Sequence, residues 1–361
     1  MSSFFVHEEI AKASTIDKSV YLSEEVFEKM KNKIFPKTWQ YIGDKTQLQN
    51  HGDCMPFAFI EGFIDEPMLA VNKDDYFYCL SNVCTHRGNL LIKEACNQKN
   101  GITCKYHGKR FDVDGTFKFM PEFKEVENFP TEADNLENYQ MQSWGNWLFT
   151  SINPIQSFEK YMSPMLERLH WLSLEEFKLK RELNKEYSVN ANWALYCENY
   201  LEGFHIPFVH QELNSKIDYG TYETISDKEI ILQIGYAKND ELSFDLPKDS
   251  IDYGKKIAAY YFWVFPNLMF NFYPWGLSLN IVKPISINKT IVSYITFISN
   301  ENLYNQGAGS GLDKVEMEDE EIVESVQKGI ESSKYKHGRY SATREQGTHH
   351  FHRLLAAYLN E

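Results

Sequence analysis

The 361-residue chain has no apolar run of the length, roughly 18 residues, that a membrane-crossing helix needs. Its opening stretch, MSSFFVHEEIAKAS, lacks a basic segment before an apolar one, so no signal peptide is expected and the cytoplasm is the default compartment. Basic charge is in deficit: 37 Lys and Arg against 51 Asp and Glu give a net charge of −14. That balance argues against nucleic acid, whose phosphates need a basic face. It suits a small-molecule substrate and a docking partner that presents basic residues. Cysteine is sparse. Six in a long chain with no secretory signal do not make a disulfide framework. Cys84 and Cys104 stand close to histidines; Cys54, Cys79, Cys96 and Cys197 are expected to be reduced, packed thiols. Nor does any G-x-G-x-x-G follow a strand-like run, so the chain shows no flavin or nicotinamide site of its own.

What is present divides into two textures. Residues 15–32 read as an extended entry and then a helix capped near Ser23. From Phe35 to about Pro154, short apolar runs alternate with Gly, Asp and Asn, the rhythm of a small all-β domain. Beyond it, Trp193–Val209 is helical in composition but carries Gly203 and Pro207. Three long β-branched and aromatic stretches between residues 229 and 300 predict an antiparallel sheet. The tail predicts two helices, over 314–335 and 341–361, preceded by a flexible connector, NQGAGSGLD. The predicted domains are 37–155 and 156–361, with an arm, 1–36, packing on the second.

Two Cys/His stretches fall in the β domain. CTHRG places Cys84 and His86 on one loop, and CKYHG places Cys104 and His107 on another. Two thiolates and two imidazoles can bind one zinc, or a [2Fe–2S] cluster with both cysteines on one iron and both histidines on the other. Zinc pairs usually come from knuckles of like ligands; here each loop supplies one of each kind. A second constellation lies in NWALYCENYLEGFHIPFVHQEL. His205 and His210 are five apart, a spacing that aligns two side chains only if the helix is widened or broken between them, and Pro207 is a candidate cause. Two imidazoles and one carboxylate make the open facial triad of non-haem Fe(II). Glu202–His205 also matches the E-x-x-H of carboxylate di-iron bundles, but no second copy occurs. The three histidines of THHFHRLL (348–355) read as structural.

CTHRG with CKYHG resembles the Rieske iron–sulfur motif. Asn89 and Tyr106 stand where the respiratory branch would carry further cysteines, so the resemblance is to the oxygenase and ferredoxin branch. The segment around His205 and His210 is similar to the catalytic helix of Rieske non-haem iron oxygenase α-subunits, and nearly the whole chain follows that order. The resemblance implies an α+β chain: a small all-β Rieske domain, then a catalytic domain whose large antiparallel sheet is covered by helices in a helix-grip, START-like arrangement. It implies a [2Fe–2S] cluster on Cys84, His86, Cys104 and His107, and a mononuclear Fe(II) on His205, His210 and a carboxylate from MEDEEIVESVQKGI. Asp319 is the counterpart there, with Glu318 as the other candidate. Glu202, usually Asp in the family, would join His107 of one subunit to His205 of the next in a homotrimer. Electrons would come from a separate NAD(P)H-dependent reductase or a ferredoxin. Glu at 202 resembles the choline, betaine and carnitine branch, and the aromatic stretch AAYYFWVFPNLMFNFYPWG could cage a trimethylammonium group. The products expected are a hydroxylated or N-demethylated small molecule. The alternatives are cis-dihydroxylation of an aromatic ring, and a Rieske electron carrier without a working iron.

Overall fold

The computed structural model describes residues 3–361, which form two compact units. One runs from Pro36 to Ile155. The other takes the chain through Phe35 and again from Gln156 to Glu361. Among the described residues no helix is long and apolar enough to cross a membrane.

The Pro36–Ile155 unit is built from β1 (Gln40–Asp44), β2 (Asp53–Phe59), β3 (Glu66–Lys73), β4 (Tyr76–Ser81), β5 (Cys96–Asn97), β6 (Ile102–Thr103), β7 (Arg110–Phe111), β8 (Phe117–Phe119), β9 (Asn138–Trp144) and β10 (Trp147–Ser151). Seven of them form an antiparallel sheet in the order β1-β10-β9-β4-β3-β2-β5, and β6-β7-β8 form a second, small one. Leu69, Val71, Leu80, Ile102, Phe111 and Val113 make a buried core that also takes in Cys84 and Cys104. The sulfurs therefore sit on apolar packing while their loops reach the surface. Cys54 and Cys79 are buried thiols, each pushed up to about 12 by burial. Cys96 departs from expectation: it is exposed, because β5 is a two-residue edge strand with no layer over it.

The second unit begins with α1 (Ser19–Leu22) and α2 (Glu24–Lys33). The Ser23 hydroxyl caps α2 by accepting the Val26 amide, as its sequence predicts. After α3 (Phe158–Arg168) come β11 (Lys178–Leu179), β12 (Lys185–Val189), α4 (Trp193–Tyr200), α5 (Ile206–Val209) and α6 (Gln211–Lys216). An antiparallel meander follows: β13 (Glu223–Asp227), β14 (Ile230–Tyr236), β15 (Ile257–Val264), β16 (Leu268–Tyr273), β17 (Gly276–Ser286) and β18 (Lys289–Ile298). α7 (Leu312–Ile330) and α8 (Gln346–Asn360) close the chain. β15 and β16 are buried at every position, so both sheet faces are covered and the sequence reads as one apolar run.

The predicted flexible connector is instead fixed in place. Ala308 is buried, and a Cβ on Gly309 would lie 2.3 Å from Trp275 Nε1, so only glycine lets this turn close on the indole. The histidines of THHFHRLL serve packing. His349 and His350 bond the carbonyls of His7 and Lys228, and buried His352 meets the Tyr21 and Tyr340 hydroxyls.

Candidate metal centres and substrate cavity

The loops after β4 and β6 are conformational copies. In the first, the Cys84 amide donates to Asn89 O at 2.9 Å and the Gly88 amide to Cys84 O at 3.0 Å. In the second, the Cys104 amide donates to Lys109 O at 2.8 Å and the Gly108 amide to Cys104 O at 3.0 Å. Each loop turns through a left-handed glycine, Gly88 at φ 68° and Gly108 at φ 73°. This brings the His86 and His107 rings to 4.8 Å between centroids. The His107 Nδ1 is buried with no hydrogen-bond partner among the described residues, which leaves it open to a ligand. The amide of His86 points at the Cys84 sulfur; those of Tyr106 and His107 and the Asn89 side chain, 3.6 Å away, point at the Cys104 sulfur. Burial pushes both thiols up. At Cys84 it prevails, whereas at Cys104 the amides and the neighbouring Cys84 thiol hold the sulfur below its ordinary range. Donors aimed at two sulfurs, with two imidazoles beside them, fit a [2Fe–2S] cluster.

In the second unit α4 ends at Tyr200, the chain turns through Gly203, and α5 starts just after His205. Pro207 does not widen or break a helix between the histidines, as expected. It sits in the first turn of α5, where an amide donor has no partner to lose. The break comes at His210, which leaves helical geometry at φ −107°, ψ 75°. That bend, not a π turn, sets the two imidazoles face to edge, 5.0 Å between centroids.

Their Nε2 atoms stand 3.1 Å apart, and Asp319 Oδ1, from α7, lies 2.9 Å from His210 Nε2 and 3.6 Å from His205 Nε2. One ligand atom from each of the three falls within 4.8 Å of the others, a group able to hold one metal ion. The outward nitrogens are occupied by carboxylates. His205 Nδ1 bonds Glu202 Oε1 at 2.8 Å and His210 Nδ1 bonds Glu318 Oε2 at 2.7 Å. A carboxylate only accepts, so each Nδ1 is placed to donate outward, and each Nε2, turned toward Asp319, is the atom a metal would take. Asp319 is held in turn by Asn199 Nδ2 at 2.6 Å. Burial pulls the His210 imidazole down, but Asp319 and Glu318 outweigh it and raise its titration. Of the two acidic candidates, Asp319 converges on the histidines from inside and Glu318 buttresses one of them from behind.

A cavity of about 100 Å³ opens beside the triad. Six tyrosines line it: Tyr196, Tyr200, Tyr222, Tyr261, Tyr273 and Tyr294. Of the aromatic residues in the stretch proposed as a cage, Tyr261 and Tyr273 face the cavity, while Tyr260 and Phe262, on the opposite strand face, pack elsewhere in the core. The sheet floor is a row of buried polar residues in register: Gln233 pairs with Tyr261, Tyr261 with Asn271, and Asn271 with Ser278. These residues were missed in the sequence. Their signal is a polar residue recurring two apart in apolar strands, as in LSLN, where Ser278 and Asn280 point to one face. Behind Tyr196 and Tyr294, Glu316 is 1% exposed, accepts both hydroxyls, and has its carboxyl pushed up to about 8 by burial. Among the described lining residues none is Lys or Arg.

The family models match in the same two places: a Rieske [2Fe–2S] domain over residues 38–130, and the catalytic domain of a ring-hydroxylating α-subunit over 176–361. The chloroplastic choline monooxygenase of Arabidopsis thaliana is 27% identical, across 96% of this chain and 83% of its own. The carnitine monooxygenase oxygenase subunit of Escherichia coli K12 is 28% identical, across 96% and 94%. Among solved structures, the quaternary ammonium Rieske monooxygenase CntA in complex with γ-butyrobetaine superposes with a TM-score of 0.76 at 25% identity, over 97% of this chain and 98% of that one. A naphthalene 1,2-dioxygenase superposes at 0.72 with 17% identity, over 96% and 92%, a likeness of fold. The chain thus belongs to the ring-hydroxylating oxygenase α-subunits, Rieske non-haem iron enzymes that carry one [2Fe–2S] cluster and one mononuclear iron per chain.

Proposed function

We propose that this oxygenase hydroxylates or oxidatively N-demethylates a small quaternary ammonium compound. The carrying observation is the cavity: six tyrosines and, among the described lining residues, no Lys or Arg. The aromatic faces attract a trimethylammonium group. The relatives named for choline and carnitine support the same reading. With no Lys or Arg on the wall to pair a substrate carboxylate, the substrate's tail is uncharged and polar, as a hydroxyl is. Gln233 Oε1, buried without a hydrogen-bond partner among the described residues, is an acceptor for it.

Cys84 and Cys104 would hold one iron of the cluster, and His86 and His107 the other. His205, His210 and Asp319 would hold the mononuclear iron, which supplies O₂ binding and activation at its open positions. Glu202 and Glu318 keep the two imidazoles in the Nδ1-protonated form that a metal requires. Glu202 Oε2 also accepts the His205 amide at 3.1 Å, which fixes the carboxylate while one of its edges remains to meet His107 of an adjacent subunit in a homotrimer. Electrons arrive from a separate reductase, and the working compartment is the cytoplasm.

Single turnover tests the substrate without a reductase. The protein is reduced chemically, mixed with O₂, and offered choline, carnitine, γ-butyrobetaine or naphthalene. Stoichiometric product from choline, with less from the carboxylated cations and none from naphthalene, is expected. A cis-dihydrodiol from naphthalene and no product from any quaternary ammonium compound would overturn the reading.

A further inference from the structure

Directly after the second cluster loop the chain buries a lysine. Lys109 is 2% exposed, and its ammonium lies 5.5, 5.3 and 5.7 Å from the ring centroids of Phe111, Phe117 and Phe129. Its one anionic partner among the described residues is Asp134, at 2.9 Å. The two groups are not equally shielded: the Asp134 side chain is 18% exposed and the Lys109 side chain 2%. Water screens the carboxylate more than the ammonium, so a net positive field remains inside.

That field falls on the cluster loops. The Lys109 carbonyl accepts the Cys104 amide, and the Asp134 carbonyl accepts the Thr85 hydroxyl at 2.9 Å, so the pair spans both loops. The ring of Phe129 packs on Phe123 at 4.8 Å, and Phe123 meets the His86 imidazole edge-on at 5.6 Å. Stability gives no reason for a charge here, since an apolar side chain of similar volume usually serves a buried site as well or better.

We propose that Lys109 is a built-in positive charge that raises the reduction potential of the cluster, with Asp134 setting how much of that charge the cluster feels. Reduction adds one electron to the cluster, and a fixed cation nearby favours the electron-rich state. The Lys109 ammonium contacts Asp134 and three phenylalanine rings, so Lys109 is a positioning and tuning residue.

The test is a spectroelectrochemical titration of the holoprotein at one pH, following the cluster's visible circular dichroism and its EPR signal. Lys109→Met is expected to shift the midpoint to more negative potential with unchanged g-values, and Lys109→Arg to stay near the wild type. Asp134→Asn, which leaves the ammonium unpaired, is expected to shift it to more positive potential. A merely structural role would lose cluster or broaden its spectrum without this opposition of sign. Should Lys109→Met fail to retain the cluster, near-isosteric Asp134→Asn decides: a positive shift upholds the proposal. A wild-type midpoint in a cluster-loaded Asp134→Asn or Lys109→Met protein overturns it.

Discussion

His210 and Asp319, 109 residues apart in the chain, meet at 2.9 Å through Nε2 and Oδ1, while the other nitrogen of the same ring is taken by Glu318 at 2.7 Å. The proposed iron site therefore gives the two adjacent acids of α7 different tasks, one facing the metal position and the other orienting a ligand. Glu318→Gln should keep iron at the site but weaken it about 10- to 100-fold, the usual cost of losing an outer carboxylate partner. Iron retention against a chelator series measures this.

Glu202 is expected to govern coupling between the centres. Glu202→Gln preserves the shape and the His205 amide contact but can no longer serve as an acceptor-only partner for two imidazoles. The variant should retain both centres, show wild-type cluster EPR, and lose product formed per cluster oxidised under O₂.

The tyrosine wall should discriminate by charge. Tyr261→Leu removes one aromatic face and is expected to raise KM for a quaternary ammonium substrate by roughly 2- to 30-fold, from a cation–π contact of ~0.5–2 kcal/mol. The KM of an uncharged tert-butyl analogue should move far less. Steady-state kinetics on the pair of substrates gives the comparison.

On the opposite face of the sheet, Asp252 is fully buried and receives a two-pronged guanidinium bond from Arg168, at 2.8 Å on each oxygen, together with Lys255 and the Tyr260 hydroxyl. Burial raises its carboxyl, but these donors prevail and hold it below the ordinary range. A depressed acid stabilises the fold above its unfolded pKa, about 3.9, and that stability is lost as pH falls through the lower folded value. Asp252→Asn should destabilise the protein at neutral pH by about 3 kcal/mol, by leaving Arg168 without its counter-charge. It should also flatten the acid limb of a plot of Tm against pH below about 4.

The two Cys/His loops were legible because their cysteines, histidines and turn glycines are local: six residues of sequence, Cys84–Asn89 and Cys104–Lys109, close each loop. His205 and His210 were legible as a spacing, but the reason offered was wrong, since Pro207 has no amide to lose in the first turn and the bend belongs to His210. Asp319 could be distinguished from Glu318 only by helix phase relative to a distant imidazole, which no local pattern carries. The polar row from Gln233 to Ser278 stayed hidden because strands covered on both faces read as unbroken apolar runs, and a lone Asn or Ser within them looks like noise. The connector at 305–313 misled for a related reason: its glycines serve close approach to Trp275, not freedom.

The most direct test of the two-centre account is iron, acid-labile sulfide and EPR on the purified protein and on Asp319→Ala. The account predicts three irons and two sulfides per chain in the wild type, from one [2Fe–2S] cluster and one mononuclear site. Asp319→Ala should lose one iron, keep both sulfides and keep an unaltered cluster signal. Two irons in the wild type, or an Asp319→Ala protein with its full iron complement, would contradict it.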